Sequence, residues 1–316
     1  MEITTTRQNP LIDPSLHVWH GEVAAYLFLG GLVAGLMILL GAYRLWKPER
    51  PRSQALARLP WLVPVLLSVG MLFLWLDLAN RLNAFRFYLI LRPETPMSWG
   101  AWILLAVYPV SLAFAWNESP AAWRRRALAR WPRLAALARC SEARQRPLAF
   151  ATMNLGILLA VYTGILLGAF AARPLWNSPL LGPLFLASGL SSGAAFILLF
   201  GLEDEERRLA SIVDMGVIGA ELGLIALWLL GLAVGGLAAQ SAARLFFGGP
   251  YTAAFWTLVV ALGLVIPFIG EAIEYKRRAT PGRATALFVL AGGFALRWIV
   301  VFAGQAAGWV GQVAGK

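Results

Sequence analysis

The run GEVAAYLFLGGLVAGLMILLGAYRLW, Gly21–Trp46, decides the fold. Between Glu22 and Arg44 it carries no charged side chain, and it exceeds the roughly 20 residues that an α-helix needs to cross a hydrocarbon core of about 30 Å. Backbone N–H and C=O groups find no water in that core, so such a segment must satisfy them internally, as a helix. Working outward, comparable runs recur at 61–82, 99–116, 147–172, 180–202, 211–239, 251–275 and 285–311. The expected fold is an all-α integral membrane protein with eight transmembrane helices, arranged as two four-helix bundles.

Composition points the same way. Of 316 residues, 59% are apolar and 14% charged, whereas a soluble domain sits near half and a quarter. The formal charge of +11 therefore belongs with membrane lipids and not with nucleic acid. A single cysteine, Cys140, excludes a disulfide framework, a Cys-rich zinc site and a self-ligated iron–sulfur cluster. The only histidines, His17 and His20, lie three apart near the N-terminus, so no two spans can offer imidazoles to one haem. No haem and no metal are expected in this protein. Residues 1–17 lack the basic start and small-residue cleavage site of a secretory signal and read as a retained outer tail.

An even number of spans puts both termini on one side. Connections 1–2, 3–4, 5–6 and 7–8 hold 19 of the Lys and Arg residues, while the opposite connections and both tails hold 7, and Arg297 lies within the last span. The positive-inside rule then places both termini on the outer, periplasmic side of a bacterial cytoplasmic membrane. The expected domains are the tail 1–17, a first bundle 18–172 that includes the inner Arg-rich connection 117–146, and a second bundle 173–316. That connection, with Trp123, Trp131 and Leu137 among its arginines, reads either as an interfacial amphipathic helix or as a basic loop that only fixes topology.

Five glycine pairs have the small-xxx-small spacing that lets helices approach closely in lipid: Gly31/Gly35, Gly164/Gly168, Gly219/Gly223, Gly231/Gly235 and Gly304/Gly308. Ionisable groups say more, because each costs roughly 2.5–3.5 kcal/mol at a helix centre. Trp19, His20, Glu22, Tyr26, Asp77 and Tyr162 fall in the outer half of the first four spans. Taken singly they read as interfacial or packing residues. Together they offer carboxylates or an imidazole for protons, phenols to bond a carbonyl and a ring to stack on, which a quinone pocket requires. In the second half, Asp214 and Glu221 share a face seven apart, Glu271 and Glu274 lie near the inner end of the seventh span, and Arg297 falls at Glu221's depth. These read as a polar path or as a buried Glu221–Arg297 ion pair. The run Glu203–Arg208 reads as a solvated inner turn.

Several segments in this order resemble the NrfD/polysulfide-reductase membrane-subunit family. They are Val18-Trp-His20 leading into Tyr26–Gly35, Met97-Ser-Trp-Gly-Ala-Trp102, Tyr162–Leu167, Arg173-Pro-Leu-Trp-Asn177, Leu184–Ala195 and Leu296–Gln305. The resemblance implies a membrane subunit that exchanges electrons between menaquinone or ubiquinone and a ferredoxin-like iron–sulfur subunit on the outer face. That subunit would serve a molybdopterin or multihaem catalytic subunit. It also implies a quinone site in the first bundle, at the His20–Tyr26 stretch, Asp77 and Tyr162. On this reading Asp77, Glu22 and His20 move protons, while Tyr26, Tyr162 and Trp19 hold the quinone. Asp214, Glu221, Glu271 and Arg297 form a proton path, and Arg81, Arg86, Arg92, Arg173 and Trp176 meet the partner. The competing readings are a secondary transporter, for which Pro267 and Gly270 hint at a broken helix without a counterpart in the other half, and a plain anchor without a quinone site.

Overall fold

The computed structural model describes residues 19–48, 53–78, 80–89, 92–170, 172–277 and 282–307. The tail 1–17 with Arg7 and His17, together with Val18, Arg50, Arg52, Arg278, Gly308 and Lys316, lies outside the described residues. Among those described there is no strand, and eight helices are long and apolar enough to cross a membrane. They are α1 Gly21–Trp46, α2 Gln54–Asp77, α3 Pro96–Glu118, α4 Gln145–Gly168, α5 Leu181–Leu198, α6 Asp204–Val234, α7 Thr252–Arg277 and α8 Arg283–Ala306. This is a multi-pass helical membrane protein.

The boundaries differ from the sequence expectation where polar chemistry extends or stops a helix. The acidic run is no solvated turn: Glu203 and Glu206 form a reciprocal capping box that starts α6. Glu206 also accepts from the Ser53 backbone N–H at 3.2 Å, and Glu205 pairs with Lys47, so the run ties α6 to α1 and α2. The connection 117–146 is two short helices, Ala121–Arg130 and Ala135–Ala143, separated by a turn at Pro132, whose ring supplies no N–H to continue the first. Asn117 Nδ2 donates to the Ser141 carbonyl at 2.8 Å and fastens this hairpin to the end of α3. In α7 the backbone does not break at Pro267 or Gly270. It widens into a π-helical stretch over Phe255–Val265 and continues through Pro267 as an α-helix, which removes the hint of a half-helix.

Packing centres on α1, which touches α2, α4, α5 and α8. Its Gly35 lies directly against Gly189 and Gly193 of α5, so that a Cβ at Gly193 would sit 2.7 Å from the Gly35 carbonyl carbon. Gly164 fits the start of α5, where a Cβ would meet the Gly182 nitrogen at 2.5 Å. The other expected pairs behave differently. Gly219, Gly223 and Gly231 have no described neighbour within 4 Å, and Gly235, just past the end of α6, meets Ala239 of the short helix Leu237–Arg244 that follows, so the stripe from Gly219 to Gly231 joins no described helix of the protein. Gly304 packs on the Trp176 indole. Exposed Leu72, Leu105, Leu158, Leu227 and Ile269 present apolar surface to the surroundings, as a lipid-facing belt requires.

The two ends of the helices differ in chemistry. One carries Arg44–Glu118 at 3.3 Å, Lys47–Glu205 and Arg124–Glu142 at 3.0 Å. The other is poor in arginine and holds Trp19, Asp77, Trp176 and Gln305. Cys140 is exposed in the Arg-rich hairpin, which the positive-inside rule expects on the cytoplasmic side. A membrane-impermeant maleimide should therefore leave Cys140 unlabelled in sealed cells and modify it after lysis. Labelling in sealed cells would invert the expected topology.

Candidate functional site

At the Arg-poor end the first turn of α1 meets the last turn of α2. His20 occupies the position just before α1, and Asp77 is the final residue of α2. Asp77 Oδ1 lies 3.1 Å from His20 Nδ1 and accepts from the His20 backbone N–H at 3.4 Å. Together with Glu22 these residues line an open cleft of about 850 Å³ whose other walls are Leu76, Leu78, Asn80, Arg81 and Leu82. The Asp77 side chain is only 10% exposed, whereas His20 is 71% exposed. The aspartate is thus held by the fold, and the imidazole reaches out from it.

One turn further along α1, Tyr26 is buried with its ring against Gly70 of α2. Tyr162 is buried on α4, six residues before that helix ends at Gly168, hence about 9 Å deep at helical rise. Gly100 of α3 makes room for it, because a Cβ there would overlap the Tyr162 ring and hydroxyl. Tyr26, Tyr88 and Tyr162 lie within electrostatic reach of one another, and neither Tyr26 nor Tyr162 is hydrogen-bonded to another described side chain. Tyr88 stands on the short helix Arg86–Leu89, where burial, with the Tyr108 phenol as a second cause, pushes its own phenol up. The sequence reading missed Tyr88. Its only signal was a phenol in the connection that leads into α3, a span that carries one tyrosine, Tyr108.

Trp19 lies apart from the cleft. Its ring stacks on Trp176 at 5.1 Å and meets Phe170 edge-on. Its backbone N–H donates to Gln305 Oε1 at 3.0 Å, and its carbonyl accepts from Gln305 Nε2 at 2.9 Å. Arg173 donates to the Gln305 carbonyl at 2.9 Å, and the Trp176 indole donates to the Val300 carbonyl at 2.8 Å. Arg173 and Trp176 were expected to face a partner. Instead they are buried at 6% and 2% exposure and lock the start of α1 to the end of α8.

Of the second set of ionisable groups, Asp214, Glu221, Glu271 and Arg297 are buried, whereas Glu274 is half-buried and its Oε1 accepts from the Gly282 N–H at 2.9 Å. Glu271 Oε2 accepts from Ser211 at 3.1 Å, and Asp214 Oδ1 accepts from Ser191 at 2.7 Å. The two carboxyls are in hydrogen-bonding relation with each other. Glu221 and Arg297 do not form the direct ion pair that is one of the two readings of the sequence. Ser188 of α5 stands between them, bonded to Arg297 Nη1 and beside Glu221. The guanidinium also donates to the carbonyls of Gly293 and Phe185 at 3.1 and 3.3 Å and rests on Gly31 of α1, where a Cβ would come within 2.9 Å of it. The serines of Leu184–Ala195 therefore do the linking, and a carboxylate-to-arginine depth match does not reveal them.

The class this defines is a polytopic helical membrane protein with a polar cleft at the Arg-poor end and a buried run of ionisable groups reaching in from the other. The sequence model of the family described as "Polysulphide reductase, NrfD" matches residues 9–307, and the protein belongs to that family. It is 31% identical to the C chain of polysulfide reductase from Wolinella succinogenes, over 91% of its own length and 94% of that relative's. It is 28% identical to a protein NrfD homolog of Haemophilus influenzae, over 94% and 97% of the two lengths, and 28% identical to protein NrfD of Escherichia coli, over 91% and 95%.

Replacing Gln305 by Leu should leave the Trp19 N–H and C=O without partners, at about 1–3 kcal/mol each. Hydrogen exchange should then accelerate at Trp19–Val23 and stay unchanged in the middle of α8. Equal protection at both places would show that the latch does not hold His20.

Proposed function

We propose that this protein is the membrane subunit of a bacterial respiratory oxidoreductase complex. It exchanges electrons between membrane quinone or quinol and a ferredoxin-like iron–sulfur subunit on the outer face, which serves a molybdopterin or multihaem catalytic subunit. Family membership and the likeness to one component of polysulfide reductase support a part in a multi-subunit enzyme. The observation that carries the quinone reading is the His20–Asp77 pair at the mouth of the outer cleft, with the buried phenols Tyr26 and Tyr162 a turn or two below it. In this reading residues 18–172 form the quinone-binding bundle and 173–316 a second one.

The residues fit a quinone headgroup. It is planar, has two carbonyl oxygens and needs donors and apolar walls, which Tyr26, Tyr162 and the helix faces around Gly70 and Gly100 offer. When bound, quinol supplies two electrons and two protons. Tyr26 and Tyr162 hydrogen-bond its oxygens. Asp77, with His20 or Glu22, takes the protons and passes them to the open cleft, His20 being the most exposed of the three. Trp19, bonded through its backbone to Gln305, keeps His20 beside Asp77. The partner subunit docks on the connection 80–95, where Arg86, Phe85 and Leu89 are exposed.

The buried run supports a second element of the proposal, a proton path from the inner face. Glu271, Ser211, Asp214, Ser191, Glu221, Ser188 and Arg297 form a graded series across α5 to α8, costly in lipid unless it has a use. Ser188 between Glu221 and Arg297 lets a proton reach the carboxylate without separating a contact ion pair.

Tyr162→Phe and Asp77→Asn, made separately, should each reduce quinol-linked turnover of the assembled complex, the first by about tenfold through a lost hydrogen bond of about 1.4 kcal/mol and the second by about 10²-fold or more, the range of a positioned acid–base group. Near wild-type turnover in both would place the pocket elsewhere. Glu221→Gln should leave assembly intact and reduce proton movement in sealed vesicles. Unchanged turnover and proton movement would eliminate the path. Loss of assembly would mark a structural role, since removing one partner of a buried charged cluster costs about 3–5 kcal/mol.

A further inference from the structure

We propose that His20, Glu22 and Asp77 form a binding site for a divalent transition-metal cation, Zn²⁺ above all, at the mouth of the outer cleft. One ligand atom from each of the three residues lies within 4.8 Å of the other two, and the closest pair, His20 Nδ1 and Asp77 Oδ1, is 3.1 Å apart. Tetrahedral zinc with bonds of about 2.0–2.2 Å spaces its ligands by about 3.3–3.6 Å. The imidazole and the aspartate already stand near that spacing, and a Glu22 carboxylate oxygen lies within 4.8 Å of both.

The site is assembled from two elements. His20 and Glu22 come from the start of α1, and Asp77 is the last residue of α2. The backbone of Trp19, one residue before His20, is bonded on both sides to Gln305, so the imidazole is presented from a fixed position.

Charge completes the argument. Two carboxylates face one imidazole, and the guanidinium in the cleft wall is turned away from them. Arg81 donates to the Leu76 carbonyl at 2.7 Å and lies over the Trp75 ring at 5.6 Å. Among the described residues Glu22 has no ion-pair partner, and Asp77 has only His20. A cation is the component that this cluster lacks. A nitrogen ligand beside carboxylates selects zinc over magnesium or calcium, which favour all-oxygen shells. The open cleft leaves the fourth position to water and lets the ion exchange.

The consequence rests on the proposed function. The cation would occupy the lone pairs assigned there to proton transfer, so micromolar Zn²⁺ on the outer side would inhibit quinol-linked turnover, and a chelator would restore it.

The test uses the purified full-length protein in lipid nanodiscs, titrated with Zn²⁺ by calorimetry. One Zn²⁺ per molecule is expected, undisturbed by millimolar Mg²⁺, and bound at least tenfold more weakly after Asp77→Asn and after Glu22→Gln. Absence of saturable binding, or equally tight binding by both variants, would overturn the site. X-ray absorption of the zinc-loaded wild-type protein keeps the test open if a variant fails to fold. A mixed nitrogen and oxygen shell supports the site, and a sulfur ligand, which only Cys140 or a methionine supplies, overturns it. Binding of a quinone analogue is measured in the same samples. Zinc binding without quinone binding would support the cation site while contradicting the quinone reading.

Discussion

Everything else in this molecule depends on the contact of α1 with α5, where Gly31 and Gly35 meet Gly189 and Gly193 backbone to backbone. In lipid no hydrophobic gain drives two apolar helices together, and close van der Waals contact between small residues replaces it. The contact fixes the depth and rotation of α1, and α1 carries His20, Glu22 and Tyr26 to the outer cleft. It also opens space beside Gly31 that the Arg297 guanidinium fills. One glycine seam thus sets the cleft on one side of α1 and the end of the buried polar series on the other.

The two ends of the molecule are closed by different forces, and the difference follows from their surroundings. At the Arg-rich end, ion pairs such as Arg44–Glu118 and Lys47–Glu205 join connections that carry an excess of charge. The Arg-poor end is held by hydrogen bonds between Gln305 and the Trp19 backbone, by the buried Arg173 guanidinium donating to the Gln305 carbonyl, and by the stack of Trp19 on Trp176. In the cleft beside it Asp77 and Glu22 face His20 and water, and the third charged group of the walls, Arg81, is turned onto the Leu76 carbonyl and the Trp75 ring.

The spans were legible in the sequence because the constraint that produces them acts on every residue: an apolar run of sufficient length has no alternative to a helix in lipid. Gly21–Trp46 matches its predicted bounds, and α6 missed by the length of its acidic start, because the capping box of Glu203 and Glu206 uses side chains that an apolar count reads as loop. The cleft residues were legible as a set, since ionisable and phenolic groups are rare in such a protein. Their division was not. The sequence reads Trp19 as a quinone contact and Trp176 as a partner contact, and only three-dimensional placement brings the two together inside the latch. Gly219, Gly223 and Gly231 of α6 share the spacing of those in α1, yet no described residue faces them, because spacing says that a helix can approach and not that one does. The link between Glu221 and Arg297 passes through Ser188, a residue whose small hydroxyl carries no signal in composition or depth.

The central claim is that the quinone headgroup sits in the outer half of α1 to α4. Photolabelling of the assembled complex with an azidoquinone, followed by peptide mapping, tests it directly. Adducts should fall on the segments around Glu22–Tyr26, Gly70–Asp77, Ser98–Trp102 and Tyr162, and excess unlabelled quinone should suppress them. Adducts confined to the inner cavity of about 300 Å³ beside Tyr43, Trp46 and Leu56, or to α6–α8, would contradict the account.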